Sequence, residues 1–427
     1  MKTGILFAFS ALCILLAGCT RPREGDPPLV SVHTVDRNGF RETVTSRDRL
    51  NMYERTCFTD PQPYVKVARM YARKVDGKIP SKLTTYHDNG AIRKYLEVIN
   101  GRASGIYREW YPNGRLRMEV TVIEGVGDLS EEAQEGWVFD GAGHVFREGG
   151  GKEATFHYEK GLLQGVAEYY FPDGRLKELL PYEKGRLHGE VRLHNPEGIV
   201  IGTSRFVRGV PSGPSLFKGD GERPPFTEIY EGGRLTEAEY GDFSGRILSR
   251  IEGGSGEKAV FAEGYLHSLE EYRNGLPEGA VRIYDRKRRL RNLFHVKEGR
   301  KHGEEWIYRP GTPGEEPVPH LLITYVEGRM RGISRTWFAD GTLESEKEMC
   351  DNRKHGLSFA RYKDGTLRLM EEYRSGKLVS GRYEKRGERE AVSSVKEGNG
   401  IATLYDEEGY FIRRIRYEKG QPCPDEP

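Results

Sequence analysis

Residues 161–185 read GLLQGVAEYYFPDGRLKELLPYEKG, and residues 185–209 read GRLHGEVRLHNPEGIVIGTSRFVRG. The outer glycines of these two segments fall at positions 161, 185 and 209, so the pattern has a period of 24 residues. A second glycine in each copy, Gly174 or Gly198, marks an inner turn. A fixed period of this length predicts an array of similar units in which each unit packs mainly against its neighbours.

Each copy has the pattern of one β-hairpin. In the copy that contains Pro112-Asn113-Gly114, apolar residues alternate with polar ones after the turn, at Leu116, Met118, Val120 and Val122. Alternation on either side of an Asn-Gly or Asp-Gly pair is the strongest local signal for a hairpin. The sequence therefore predicts two strands of about eight residues in every repeat.

The repeats extend over roughly residues 64–420. The pattern is weak at 125–156, where we expect a degenerate repeat with an insertion, and at 210–264. The predicted division of the chain is a signal peptide at 1–18, a tether at 19–32, an N-terminal cap at 33–63, repeats at 64–253 and 254–420, and a disordered tail at 421–427.

Composition supports an all-β chain with short strands and many turns. The 427 residues include 54 glycines and 24 tyrosines, and only 36% are hydrophobic. Glycine adopts positive φ without penalty, and aromatic residues favour strands. The net charge of +2 gives no field that would select nucleic acid. We predict an elongated antiparallel β-meander built from repeated hairpins.

The N-terminus has the features of an exported protein. Residues 1–19 read MKTGILFAFSALCILLAGC, with Lys2 before an apolar run that is too short to span a bilayer. The end of this run resembles a bacterial lipobox, which implies cleavage between Gly18 and Cys19 and a lipid anchor on the Cys19 sulfur. Thr20 in place of aspartate favours the outer membrane. An ordinary signal peptide or a single-pass anchor is the alternative.

The hairpin unit resembles the bacterial MORN-variant repeat, of the kind found in the YwqK-type antitoxin family. The matching positions are structural: turn glycines and strand aromatics. The resemblance implies an elongated β-meander and no catalytic residues. The glycines are Gly114, Gly174, Gly198, Gly341 and Gly365, and the aromatics are Tyr107, Tyr111, Tyr169, Trp306 and Trp337.

The five aromatic residues have two interpretations. They could form a binding face, or they could pack within the twisted sheet as its core, since the apolar side of a single sheet must be covered. Both interpretations could hold for different residues.

No other group of residues indicates catalysis or a cofactor. His188, His302 and His355 lie in turns several repeats apart, so we expect each to bond the next hairpin rather than share a metal ion. Cys57, Cys350 and Cys423 have no metal-binding spacing, and a Cys350–Cys423 disulfide is left open. The basic run 286–291 is either a solvated turn or a contact with lipid headgroups.

The sequence favours a lipid-anchored, non-enzymatic scaffold of the cell envelope that binds another protein or an envelope component. The alternative is an immunity or antitoxin-like inhibitor that neutralises a toxin. A glycan-cleaving enzyme is disfavoured, because glycosidases need two carboxylates at a defined separation and no pair stands out.

Overall fold

The computed structural model describes residues 27–55, 60–311 and 316–423. The predicted signal peptide, most of the tether, Cys19 and Cys57 lie outside these residues. The prediction of an all-β meander is confirmed: most described strands that follow one another pair antiparallel, with a local register shift in each of the hairpins cited here. The chain forms two compact units, Met1–Val210 and Pro211–Pro427.

The first unit is a sheet whose strands lie in chain order, except that β1 lies between β2 and β3. Two helices interrupt the meander: α1 (Arg47–Arg55) and α2 (Glu131–Glu135). The strands are β1 (Leu29–Asp36), β2 (Arg41–Val44), β3 (Val65–Ala72), β4 (Pro80–Tyr86), β5 (Ile92–Ile99), β6 (Arg102–Trp110), β7 (Leu116–Glu124), β8 (Val138–Phe146), β9 (Lys152–Glu159), β10 (Leu162–Leu163), β11 (Gly165–Tyr170), β12 (Leu176–Glu183), β13 (Arg186–Leu187), β14 (Gly189–His194) and β15 (Val200–Val207).

The second unit contains only strands among its described residues. They are β16 (Val210–Phe217), β17 (Phe226–Glu231), β18 (Arg234–Gly241), β19 (Ile247–Glu252), β20 (Ser255–Ala262), β21 (Tyr265–Arg273), β22 (Leu276–Tyr284), β23 (Leu290–Lys297), β24 (Arg300–Lys301), β25 (Gly303–Tyr308), β26 (Pro319–Val326), β27 (Arg329–Trp337), β28 (Leu343–Cys350), β29 (Arg353–Arg361), β30 (Leu367–Arg374), β31 (Lys377–Tyr383), β32 (Ser393–Lys396), β33 (Asn399–Tyr405), β34 (Phe411–Glu418) and β35 (Gln421–Pro422).

The outer turns are two-residue turns with positive φ at both central positions, as in Lys184 (φ 50°) and Gly185 (φ 75°). This geometry follows the natural twist of a hairpin. At the inner turn, the Gly174 amide donates to the Phe171 carbonyl at 2.9 Å, and the Asp173 carboxylate accepts from the Arg175 amide at 3.0 Å. The turns predicted from the glycine spacing are therefore confirmed.

Successive hairpins are linked by a hydrogen bond whose donor and acceptor residues are 20 positions apart in the sequence. The backbone N–H of a positive-φ turn residue donates to a side chain of the preceding hairpin. Arg208 donates to Nδ1 of His188 at 3.3 Å, and Ser375 donates to Nδ1 of His355 at 3.2 Å. The expectation that these two histidines bond the next hairpin is confirmed. In other hairpins the equivalent bond is accepted by the side chain of Asp140, Gln164 or Asn399.

The two weak stretches of the repeat pattern have different structures. Between β7 and β8 the chain inserts α2, which begins after the N-cap Ser130. Residues 210–264 instead form regular hairpins, because the turn pairs Gly232-Gly233 and Gly253-Gly254 supply the positive φ values. The changed spacing of these glycine pairs obscured the period in the sequence.

Buried residues form separate clusters along each unit. The side of the sheet near the N-terminus is covered by α1, whose Leu50 is 3% exposed and packs with Val32, Val44 and Met70. The other clusters lie around Leu96 and Tyr95 in the first unit, and around Leu235 and Leu378 in the second. Each hairpin contributes a few residues, as expected for a repeat array.

The basic run 286–291 forms the inner turn between β22 and β23. Arg286 pairs with Glu263, and Arg289 pairs with Asp285 at 2.7 Å. Arg288 has a φ of 59° at the position that glycine occupies in other inner turns, since its amide donates to the Asp285 carbonyl at 2.8 Å. The run is thus a turn whose arginines are partly paired, with one arginine in a strained backbone conformation.

We expect Arg288→Gly to stabilise the protein by about 1 kcal/mol, because glycine adopts positive φ without a Cβ penalty. Urea unfolding of the two proteins measures this change. The control is Lys287→Gly, which removes a charge from the same turn at a residue outside the positive-φ region. This control raises the conformational entropy of the unfolded chain without relieving any strain, so it should lower the free energy of unfolding. Equal effects of the two substitutions would contradict the backbone explanation.

Candidate binding face

One face of the first unit carries a row of aromatic side chains across neighbouring strands. We call Phe139, Phe156, Tyr158, Tyr169 and Tyr182 the aromatic stripe. The ring centroids of Phe139 and Tyr158 are 5.4 Å apart, and so are those of Phe156 and Tyr158. Tyr169 lies opposite Ala154 on β9, and Tyr182 lies opposite Gly165 on β11. Alternation along the strands therefore places all five side chains on one face.

The stripe is anchored at one end in the core. The ring of Trp137 packs edge-on against those of Tyr107 and Phe139, with centroid distances of 5.0 Å and 6.4 Å. Its indole N–H donates to the Val126 carbonyl at 2.9 Å, and Leu129 packs beside it. The insertion between β7 and β8 thus covers this end of the row.

Exposure increases from Trp137 to Tyr169, and Tyr182 beyond it is again half-buried. Trp137 is 7% exposed, Phe139 and Tyr158 are half-buried, and Tyr169 is 39% exposed. The pKa of Tyr158 is raised, first by burial and then by the neighbouring Tyr169 and Tyr182. The result is an apolar surface with tyrosine hydroxyls at its exposed end, a composition that is common in protein interfaces.

The structure divides the five aromatics singled out from the sequence. Tyr107 is 2% exposed and belongs to the core, so it is not available to a partner. The Tyr111 hydroxyl donates to the Phe146 carbonyl at 3.0 Å, which makes that ring a link between hairpins. Tyr169 lies on the aromatic stripe. Trp306 and Trp337 belong to the second unit, where their half-buried rings stack with centroids 5.5 Å apart.

Sequence reasoning missed the anchoring Trp137 and most of the stripe: Phe139, Phe156, Tyr158 and Tyr182. The alternation of Phe156 and Tyr158 was the available signal, but it adjoins the stretch where the period fails. Gly143 lies opposite Phe156, and a Cβ there would come within 2.1 Å of the Phe156 ring. A small residue on one strand therefore leaves room for an aromatic ring on the next.

Sequence reasoning also missed buried glutamates that recur in the second unit. Glu228 is 7% exposed and accepts hydrogen bonds from the hydroxyls of Tyr230 at 3.0 Å and Tyr240 at 2.7 Å, while Lys258 lies 2.7 Å from it. A cavity of about 250 Å³ adjoins this group. Because each carboxylate oxygen bonds a group of the same unit, the arrangement satisfies a buried charge and stabilises the core.

Glu371 repeats this arrangement, with the hydroxyls of Tyr373 at 3.0 Å and Tyr383 at 2.9 Å and with Lys354 at 3.5 Å. Burial, followed by the nearby carboxylate, raises the pKa of Tyr240 and of Tyr383. These tyrosines stay neutral donors at physiological pH.

Among the described residues no group of three His, Cys, Asp or Glu side chains is placed to hold a metal ion.

Cys350 and Cys423 are free thiols, so the disulfide left open by the sequence is not formed in the structure. Neither of the two described helices has the length and apolar character to cross a bilayer.

Two segments of the chain are similar to a known family of repeats. Residues 103–123 and 163–184 match the family model described as the MORN repeat variant. These segments form the β6–β7 and β11–β12 hairpins, which contain Tyr107, Tyr169 and Tyr182. The chain therefore contains MORN-variant repeats.

No curated protein matches the chain. Among solved structures, a putative 6-phosphogluconolactonase from Bacteroides uniformis aligns over 80% of this chain and 94% of its own. The identity is 10% and the TM-score is 0.11.

Proposed function

We propose that this chain is a non-enzymatic scaffold that binds another protein through the aromatic stripe of its first unit. The observation that carries the proposal is the row of rings on one face, which are in contact from Trp137 in the core to Tyr158 and are followed on the same face by the exposed Tyr169. Tyrosine and tryptophan supply most of the binding energy in many protein interfaces.

The strands that carry the stripe make it a suitable surface for binding. Glu168 and Tyr169 of β11 are held in register with both β9 and β12, so their backbone is fixed before a partner arrives. A preorganised surface loses less conformational entropy on binding than a loop does. The near balance of positive and negative charge suits a protein partner better than nucleic acid.

A photo-crosslinking amino acid at position 169 tests this proposal in cells. We expect it to capture a defined partner protein. Position 166 is a matched control, because Val166 lies on the same strand, is 46% exposed and faces the opposite side of the sheet. The crosslinker at position 166 should capture this partner at a much lower yield. Equal yields at the two positions, or no adduct at position 169, would contradict a binding role for the stripe.

We further propose that the scaffold is anchored in the cell envelope, at the outer membrane, by lipid on Cys19. Residues 1–19 support this proposal through their charged start, apolar run and lipobox-like end. Several acyl chains on one cysteine would give stable membrane attachment.

Labelling with clickable palmitate tests the anchor. The wild-type protein should carry the label and sediment with membranes, whereas Cys19→Ser should lose both the label and the membrane association. Cys13→Ser is the control, since Cys13 lies inside the apolar run and should not affect the label. An unlabelled wild-type protein would remove the anchor from the proposal and leave the aromatic stripe to be tested separately.

The crosslinked partner also decides the alternative role. Identification of a toxin at position 169, together with protection of cells that express this toxin, would make the chain an immunity protein. A structural envelope protein at the same position would support the scaffold.

A further inference from the structure

The last long strand, β34, is paired along only one edge. Its inner edge pairs with β33 from Gly400 opposite Tyr417 to Tyr405 opposite Phe411. Its outer edge pairs with only the two residues of β35. Within the part of the chain that the structure describes, no strand lies along the outer edge of residues 411–415.

The backbone at this edge is ready to bond another strand. The Cys423 amide donates to the Arg416 carbonyl at 2.8 Å, so the polar backbone groups of Arg416 face outward. Backbone groups alternate in direction along an antiparallel strand, and those of Arg414 therefore face outward as well. An unpaired N–H and C=O on a sheet edge form a template for strand addition.

The side chains of this edge are apolar and positively charged. Tyr410 is 72% exposed, Phe411 is 59% exposed and Ile412 is 55% exposed. Arg413 and Arg414 follow, both exposed. Neither has an ion pair with another described residue, whereas Arg416 lies 2.8 Å from Glu418. Two arginines that have no carboxylate partner within the described part of the chain thus lie beside three exposed apolar side chains.

We propose that the outer edge of β34 binds an extended, acidic segment of another protein, which joins the sheet as an additional antiparallel strand. Main-chain bonds would supply affinity and the arginines would select negative charge. A second copy of this edge fits poorly, because paired β34 strands would bring like charges together, which destabilises a sheet. The site is separate from the aromatic stripe, and its test does not depend on the scaffold proposal.

The test uses the full-length protein and a fluorescein-labelled peptide of about ten residues, the length of a long strand, in which glutamate and valine alternate. We expect fluorescence anisotropy to show binding that weakens as salt increases. A peptide with lysine in place of glutamate should bind at least about tenfold more weakly.

Two variants examine the backbone and the charge separately. Arg414→Pro removes an outward N–H at an edge, where proline is tolerated, and should weaken binding about tenfold or more. The double variant Arg413→Gln/Arg414→Gln keeps the backbone and should also weaken binding. Its matched control is Arg374→Gln/Lys377→Gln, which removes two charges from β30 and β31, strands that are paired on both edges. The control should bind like the wild type.

Three results would overturn the proposal. The first is equal binding of the acidic and basic peptides, and the second is unchanged affinity in Arg414→Pro with normal strand content by circular dichroism. The third is a concentration-dependent dimer of the wild type that Arg414→Pro abolishes, since the occupant would then be a second copy. If Arg414→Pro does not fold, the double glutamine variant and its control still decide the charge requirement.

Discussion

Both units should unfold when the pH is raised from 10 to 12, because folding raises the pKa of many buried tyrosines. Burial is the main cause at Tyr86, whose pKa rises from 10.0 to about 12, and at Tyr272, whose pKa also reaches about 12. A group with a raised folded-state pKa stabilises the protein fully below its unfolded pKa, and this contribution is lost as the pH rises towards the folded value.

The size of the effect follows from the number of tyrosines involved. The rise of the Tyr86 pKa from 10.0 to about 12 alone corresponds to about 2.7 kcal/mol of stability, most of which is lost by pH 12. Tyr240 and Tyr383 are shifted in the same direction beside Glu228 and Glu371. Since domains are stable by only about 5–15 kcal/mol, a few such groups are sufficient to unfold each unit.

Circular dichroism of the strands and ultraviolet absorbance of tyrosinate measure this transition together. We expect the two signals to change in one cooperative step. Tyr86→Phe should reduce the pH dependence of the free energy of unfolding by the contribution of one proton. Complete ionisation of the tyrosines with intact strand content would show that burial does not control their pKa values.

The fold could be predicted from the sequence because the decisive signals are local. The Pro172-Asp173-Gly174 turn and the pair Lys184-Gly185 fix positive φ at set positions, and alternation fixes the strands between them. The elongated shape stays a prediction. The hairpins at 210–264 were obscured because Gly232-Gly233 supplies the same turn geometry at a different spacing. Turn chemistry is more informative there than the period.

The binding face was harder to predict because it depends on contacts between different strands. Tyr107 lies seven residues before its turn glycine Gly114 and is 2% exposed, whereas Tyr169 lies five residues before its turn glycine Gly174 and is 39% exposed. The insertion also places Trp137 against Tyr107, and a repeat pattern contains no information about this contact. The buried Glu228 was also invisible, since its partner Lys258 lies 30 residues away in sequence.

Trp137→Ala should destabilise the first unit by about 4 kcal/mol, within the range for removing a large buried aromatic side chain. The substitution would remove the ring contact with Tyr107 and leave the Val126 carbonyl without its indole donor. Hydrogen exchange measured along the chain should show faster exchange in β6, β7 and β8, with little change in the second unit. Trp306→Ala is the matched control, since Trp306 is half-buried in the second unit and its indole donates to Glu304 on the same strand. Its expected cost is roughly 1–2 kcal/mol, confined to that unit.

The same variant connects the core to the proposed function. If Trp137 anchors the aromatic stripe, Trp137→Ala should also reduce the yield of the crosslinker at position 169, although Tyr169 itself is far along the row of rings. Trp137→Phe keeps an aromatic ring beside Tyr107 and should restore most of the yield. A normal yield in Trp137→Ala would show that the exposed end of the stripe binds its partner without support from the insertion. Binding would then be a property of the repeats alone.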